Sequence, residues 1–205
     1  MAELDGPESD LWADIAHESS RRLLLAALES FAAHGYNATT TRRIGERAGM
    51  SPAAVYMHYP SKQALLFEIS RTGHEAVLRD VQNAIDGIAS PKDRLWTFMH
   101  VFVSWHARNH TVARVNQYEL ASIPPEHFGE IRDLRDRFEA ALMAELRAGV
   151  ESGDFVVADM DVTLLALLSL GIDVARWYTG RGKSPDELGR AYAHLALTLV
   201  SAERE

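Results

Sequence analysis

Between residues 39 and 62 the chain reads TTTRRIGERAGMSPAAVYMHYPSK, and no other stretch restricts the fold as much. Thr40 is placed to cap a short helix whose buried side carries Ile44 and Ala48. Gly49, Met50 and Ser51 form a turn. Pro52 then sits at a first helical position, where its missing N–H costs nothing. A second short helix, PAAVYMHY, runs up to Pro60, and Ser61 caps the next one. Two short helices about a tight turn, followed at once by a third, spell a helix-turn-helix.

The residue types fit a helix that enters a DNA major groove. Such a helix needs short side chains where its backbone approaches the bases, and donors aimed at the flanking phosphates. Ser51, Pro52, Ala53 and Ala54 meet the first need; Tyr56, His58, Tyr59 and Lys62 are candidates for the second. Thr40, with the free N–H groups of its helix, is a phosphate anchor, supplemented by Arg42 and Arg43. Met50, Val55 and one of the two late tyrosines are expected to pack inward.

Charge supports this placement. The formal net charge is −8, which taken whole argues against a polyanion partner. Residues 1–18 hold six acids and no Lys or Arg, whereas 19–62 hold six bases against Glu29 and Glu46. The one basic segment is therefore the one with the helix-turn-helix pattern. The acidic stretch 1–18, broken at Gly6-Pro7, is expected to be disordered, with Trp12 and Ile15 as residues able to dock.

The remaining sequence reads as helix throughout. A helix from Ser19 or Ser20 carries Leu24, Leu28 and Phe31 and ends at Gly35. A long helix follows Ser61. Others open at Ser90-Pro91, near Val112, after Pro124-Pro125, near Asp161 and at Ser184-Pro185. No segment keeps a period-two alternation. The expected class is all-α, with a DNA-binding domain over 19–66 and a larger helical domain over 67–205. There are no cysteines, no apolar run of membrane-spanning length and no secretory signal, so a cytoplasmic protein without membrane contact is expected.

Residues 21–66 resemble the DNA-binding domain of the tetracycline-repressor (TetR) family of bacterial regulators. The carriers are Phe31-Ala-Ala-His-Gly35-Tyr36, Thr39-Thr40, Ile44-Gly45, Ala48-Gly49-Met50-Ser51, Tyr56-Met57-His58-Tyr59 and Ser61-Lys62 with Leu65. Gly45 stands where Ala is usual and Tyr59 where Phe is usual. The resemblance implies a homodimer reading a near-palindromic operator, an effector pocket in the C-terminal domain, and an intermolecular four-helix bundle made by the last two helices. No cofactor is expected.

The middle helices carry the pocket candidates: Phe98, Phe102, Trp105, His106, Tyr118, Phe138, Met143 and Trp177. Their aromatic load suits a bulky apolar effector. Arg176-Trp177-Tyr178 resembles members of the family that respond to acyl-CoA thioesters. Arg176, Arg108 and Arg114 are the cations available for the phosphates of such a ligand. His106 and His110 have the spacing of a metal pair, but no third ligand stands nearby, so no metal is expected. The sequence also leaves open a drug- or xenobiotic-sensing repressor of an efflux or detoxification gene, and a DNA binder without an effector. An enzyme is not expected, since no phosphate loop, nucleophile motif or paired-carboxylate frame is present.

Overall fold

The computed structural model describes residues 9–201. Among them are nine α-helices and two short 3-10 turns, and no strand. The helices are α1 (Glu18–His34), α2 (Thr41–Ala48), α3 (Pro52–His58), α4 (Lys62–Ile85), α5 (Pro91–Arg108), α6 (His110–Tyr118), α7 (Pro125–Glu151), α8 (Met160–Trp177) and α9 (Pro185–Val200). The all-α class is as the sequence implies.

Side-chain caps account for most of the helix starts. Thr40, Ser51, Ser61 and Ser90 each accept a bond from the backbone N–H three residues on. Asp159 accepts from both Asp161 and Val162, and Ser184 forms a reciprocal capping box with Glu187. The start of α1 differs from expectation. His17 precedes it without a side-chain cap, and the Ser20 hydroxyl bonds instead to His58.

Cα packing divides the chain into two compact units: Met1–Glu75 with Thr111–Arg132, and Ala76–His110 with Asp133–Glu205. This differs from a boundary at residue 66. The first unit takes in α6, the segment after it and the start of α7, because these touch the corner between α1 and α2 and the first half of α4. The backbone N–H of Tyr36 donates to Glu119 at 3.0 Å, the Ser70 hydroxyl donates to Asn116 at 3.1 Å, and Phe67 stacks on His127 at 4.0 Å. Sequence periodicity sees a helix but not which neighbour it meets.

In the first unit, α1, α2 and α3 pack about Leu24, Leu28, Phe31, Ile44 and Val55. Trp12 is 1 % exposed, in a 3-10 turn (Ser9–Trp12) that lies on α1. The expected disorder of 1–18 is thus corrected for its second half, where burial of one large indole fixes the chain; residues 1–8 lie outside the described residues. In the second unit α5 is the central helix, packed along α9 and against α8. Two glycines permit this. A Cβ on Gly171 would fall 2.2 Å from the Phe102 ring, and one on Gly189 would fall 2.1 Å from the Ser104 hydroxyl.

Candidate nucleic-acid interface and aromatic cluster

The turn between α2 and α3 needs Gly49, which adopts φ +67°, a left-handed conformation open to glycine. Gly45 brings the two helices together, since a Cβ there would lie 2.9 Å from Val55 Cγ2 and 3.0 Å from the Met50 carbonyl. The close approach explains a glycine where the resemblance leads one to expect alanine.

The open face of α3 holds Ser51, Pro52 and Ala53 exposed and Ala54 half-exposed. Tyr56 is 54 % and Met57 86 % exposed. The Tyr56 hydroxyl lies 3.1 Å from Thr41 Oγ1, which steadies the ring over the α2–α3 corner. Thr40, Arg42 and Arg43 are exposed beside it, Arg42 holding Glu46 at 2.9 Å in a solvent-facing pair. Thr41 and Met57 stand on this face too, and the sequence reading did not single them out. Exposure of Met57 was not readable from a residue type that usually packs.

Three expected phosphate contacts lie elsewhere. Lys62 donates to the carbonyls of Tyr36 at 2.7 Å and Thr39 at 2.9 Å, and its ammonium stands 4.0 Å over the Tyr36 ring. It closes the α1–α2 corner rather than reaching outward, and burial lowers its pKa. His58 is half-buried, with Nδ1 3.0 Å from the Ser20 hydroxyl and its ring against His17. Tyr59 is the inward member of the tyrosine pair. Burial first, and then the Glu68 carboxylate, push its pKa to about 12, against a hydrogen bond with Ser20 that lowers it.

In the second unit the pocket candidates on α5 and α7 form a closed cluster. Phe98 meets Phe138 at 5.3 Å, Phe102 meets Phe138 at 4.8 Å, and His106 meets Phe102 at 4.5 Å and Trp105 at 5.2 Å. All five rings are buried, and His106 donates Nδ1–H to the Phe102 carbonyl at 2.9 Å. Met143 is half-buried on α7. Tyr118 and Trp177 do not join them. Tyr118 is 59 % exposed and belongs to the first unit, and Trp177 is exposed at the end of α8. Both end a helix, where an aromatic side chain need not enter the core.

Of the three cations, Arg108 is exposed on α5, Arg176 pairs with Asp173 at 2.6 Å, and Arg114 lies in the first unit with its Nε buried and unpartnered. His110 donates Nδ1–H to the Ala107 carbonyl at 3.2 Å. Among the described residues no group of three His, Asp or Glu side chains is placed to hold a metal.

The last two helices expose an apolar stripe. Val162 and Leu165 on α8, and Leu195 and Leu199 on α9, are all exposed at helical spacing. Ala196 and Val200 face the interior. No helix among the described residues is long and apolar enough to cross a membrane.

Comparison with known proteins covers both the helix-turn-helix and the helices that follow it. The profile of bacterial regulatory proteins of the tetR family matches residues 23–69, and that of the tetracyclin repressor-like C-terminal domain matches residues 89–200. The HTH-type transcriptional repressor KstR2 of Mycobacterium tuberculosis is 30% identical over 196 residues, covering 90% of this chain and 95% of that protein. A tetR-family regulatory protein from Rhodococcus RHA1 superposes with a TM-score of 0.85 at 41% identity, over 92% of this chain and 100% of that one. The ketosteroid transcriptional regulator KstR2 of Mycobacterium tuberculosis superposes at 0.81 with 26% identity, over 89% of this chain and 96% of that chain. With a capped helix-turn-helix, an all-helical second unit and these matches over most of its length, the chain belongs to the tetR family of bacterial transcriptional regulators.

Proposed function

We propose that this chain is a ligand-responsive repressor that binds a near-palindromic DNA operator as a homodimer and releases it when a hydrophobic small molecule binds. The observation that carries the reading is the open face of α3, with Ser51, Pro52, Ala53 and Tyr56 exposed in the only strongly basic part of the sequence. Thr40, Arg42 and Arg43 supply the flanking phosphate contacts. The apolar stripe of Val162, Leu165, Leu195 and Leu199 supports the dimer, because four large aliphatic residues in water on two adjacent helices favour burial against a second copy.

The effector is a bulky lipophile accommodated by Phe98, Phe102, Phe138 and His106. A similarity of 30% to KstR2, a relative whose solved structure is called a ketosteroid regulator, favours a steroid-derived or fatty acyl-CoA thioester. Arg108 and Arg176 are the phosphate partners for a CoA moiety in this reading. The rings touch one another, so the ligand enters by displacing them, Phe102 above all. That costs packing energy which ligand contacts must offset. The unbroken helix α4 spans the division between the units at Glu75, so it supplies a covalent route from effector to recognition helix. A DNA binder without an effector is the second reading, and the same closed cluster favours it.

The test is selection of bound fragments from a genomic DNA pool, followed by footprinting and light scattering. Two protected half-sites about 34–36 Å apart on one face of the duplex, bound by a dimer, are expected. A single unrepeated half-site bound by a monomer would overturn the dimer reading.

A further inference from the structure

Met57 is the most exposed large apolar side chain among the described residues, at 86 %. It projects from α3, whose other side holds Val55 buried and His58 half-buried. Ala53 lies four positions before it and is also exposed, so the two share one face of the helix. A lone apolar residue on a surface is ordinary. This one continues the face of Pro52 and Ala53 on the helix that meets DNA.

The face has little else with which to read sequence. From Ser51 to Tyr59 the chain is SPAAVYMHY, without Arg, Lys, Asn, Gln, Asp or Glu. The paired hydrogen bonds that pick out guanine or adenine need side chains of that kind. The hydroxyls present are already engaged. Ser51 Oγ accepts from the Ala54 N–H at 3.3 Å, and the Tyr56 hydroxyl lies 3.1 Å from Thr41 Oγ1. His58 turns towards the Ser20 hydroxyl at 3.0 Å. Pro52, Ala53 and Met57 remain, and all three are apolar. In the major groove the unmodified bases offer one apolar group, the C5 methyl of thymine.

We propose that Met57 reads a thymine: its thioether covers the C5 methyl of one thymine in each half-site, while Ala53 beside it lets the helix approach. The proposal rests on α3 being the helix that enters the groove, and it names the base which that helix selects. Methionine suits the task. Its unbranched chain has three rotatable bonds and a polarizable sulfur, so it adapts to a methyl group without demanding one donor geometry. It also disfavours cytosine at the same place, because the cytosine amino group would lose its water against an apolar side chain.

The experiment takes the operator selected from the genomic pool and replaces its thymines one at a time with deoxyuridine, which removes the C5 methyl and keeps every hydrogen-bonding group. Binding of the full chain is followed by fluorescence anisotropy at one fixed salt concentration. In each half-site one replacement is expected to weaken the wild-type chain about fourfold, the usual worth of one buried methyl group. Met57→Ala is expected to bind the unsubstituted operator more weakly by a similar factor, and replacing the same thymine should then cost it nothing further. Met57 is 86 % exposed, so this variant keeps the fold. A wild-type chain that binds its operator equally well whichever thymine is replaced overturns the proposal and leaves the repressor reading standing. So does a thymine sensitivity that survives undiminished in Met57→Ala. A chain that selects no duplex from the pool fails the repressor reading itself, and this proposal with it.

Discussion

The α3 face and the phenylalanine cluster of α5 and α7 are built in opposite ways. On α3 small residues, Tyr56 and Met57 stand in solvent, while Lys62 and Tyr59, expected beside them, turn inward. In the cluster Phe98, Phe102 and Phe138 fill their own space. A DNA surface can be rigid and complete beforehand, because the duplex brings its own shape. A site for a lipophile cannot be left as an empty apolar void without losing packing energy. On the proposed reading, the first region is complete in the free protein, and the second must rearrange to take a ligand.

That contrast can be broken in five ways. Phe102→Ala should cost about 3–5 kcal/mol of stability in a denaturant melt, the usual loss for a buried phenylalanine. A loss under about 1 kcal/mol would mean that the cluster is already loose enough to admit a ligand. Ala53→Glu should leave stability unchanged but weaken operator binding by roughly a hundredfold or more, because a like charge on a phosphate-lined face costs several kcal/mol. Retained affinity would show that α3 is not the reading helix.

Lys62→Ala should lower stability by about 1–2 kcal/mol through loss of its bonds to Tyr36 and Thr39. The slope of operator affinity against salt should stay as it was, whereas a phosphate contact would shift it by about one unit. Gly45→Ala should lower stability by about 1 kcal/mol, because the clash with Val55 and Met50 exceeds the gain in helix propensity; a raised melting temperature would refute the close approach. The smallest effect belongs to Tyr59. Its pKa is raised from 10.0 to about 12, so the native state holds this proton more tightly than the unfolded chain. Its contribution is complete below pH 10 and lost as pH climbs towards 12. Tyr59→Phe should therefore unfold less steeply over that window; identical alkaline profiles would contradict the burial of its hydroxyl.

The legibility of the two regions follows the same division. Thr40, Gly49, Ser51, Pro52 and Ser61 act within a few residues of themselves, so the caps and the turn could be read from local sequence. Lys62 could not, because its partners at Tyr36 and Thr39 lie more than twenty positions away. The same holds for Trp12, whose docking on α1 an acidic composition concealed. Among the pocket candidates, aromatic type identified Phe98, Phe102 and Phe138 but gave no sign that Tyr118 and Trp177 face solvent.

The most direct test is operator affinity, measured by fluorescence anisotropy with and without a panel of acyl-CoA and steroid-derived thioesters, the matching free acids and neutral lipophiles. At least one lipophile should weaken operator binding by roughly 5- to 150-fold, the range of an ordinary coupling between two sites. A lipophile that binds the protein yet leaves operator affinity unchanged, or the failure of every class to bind, would contradict the account.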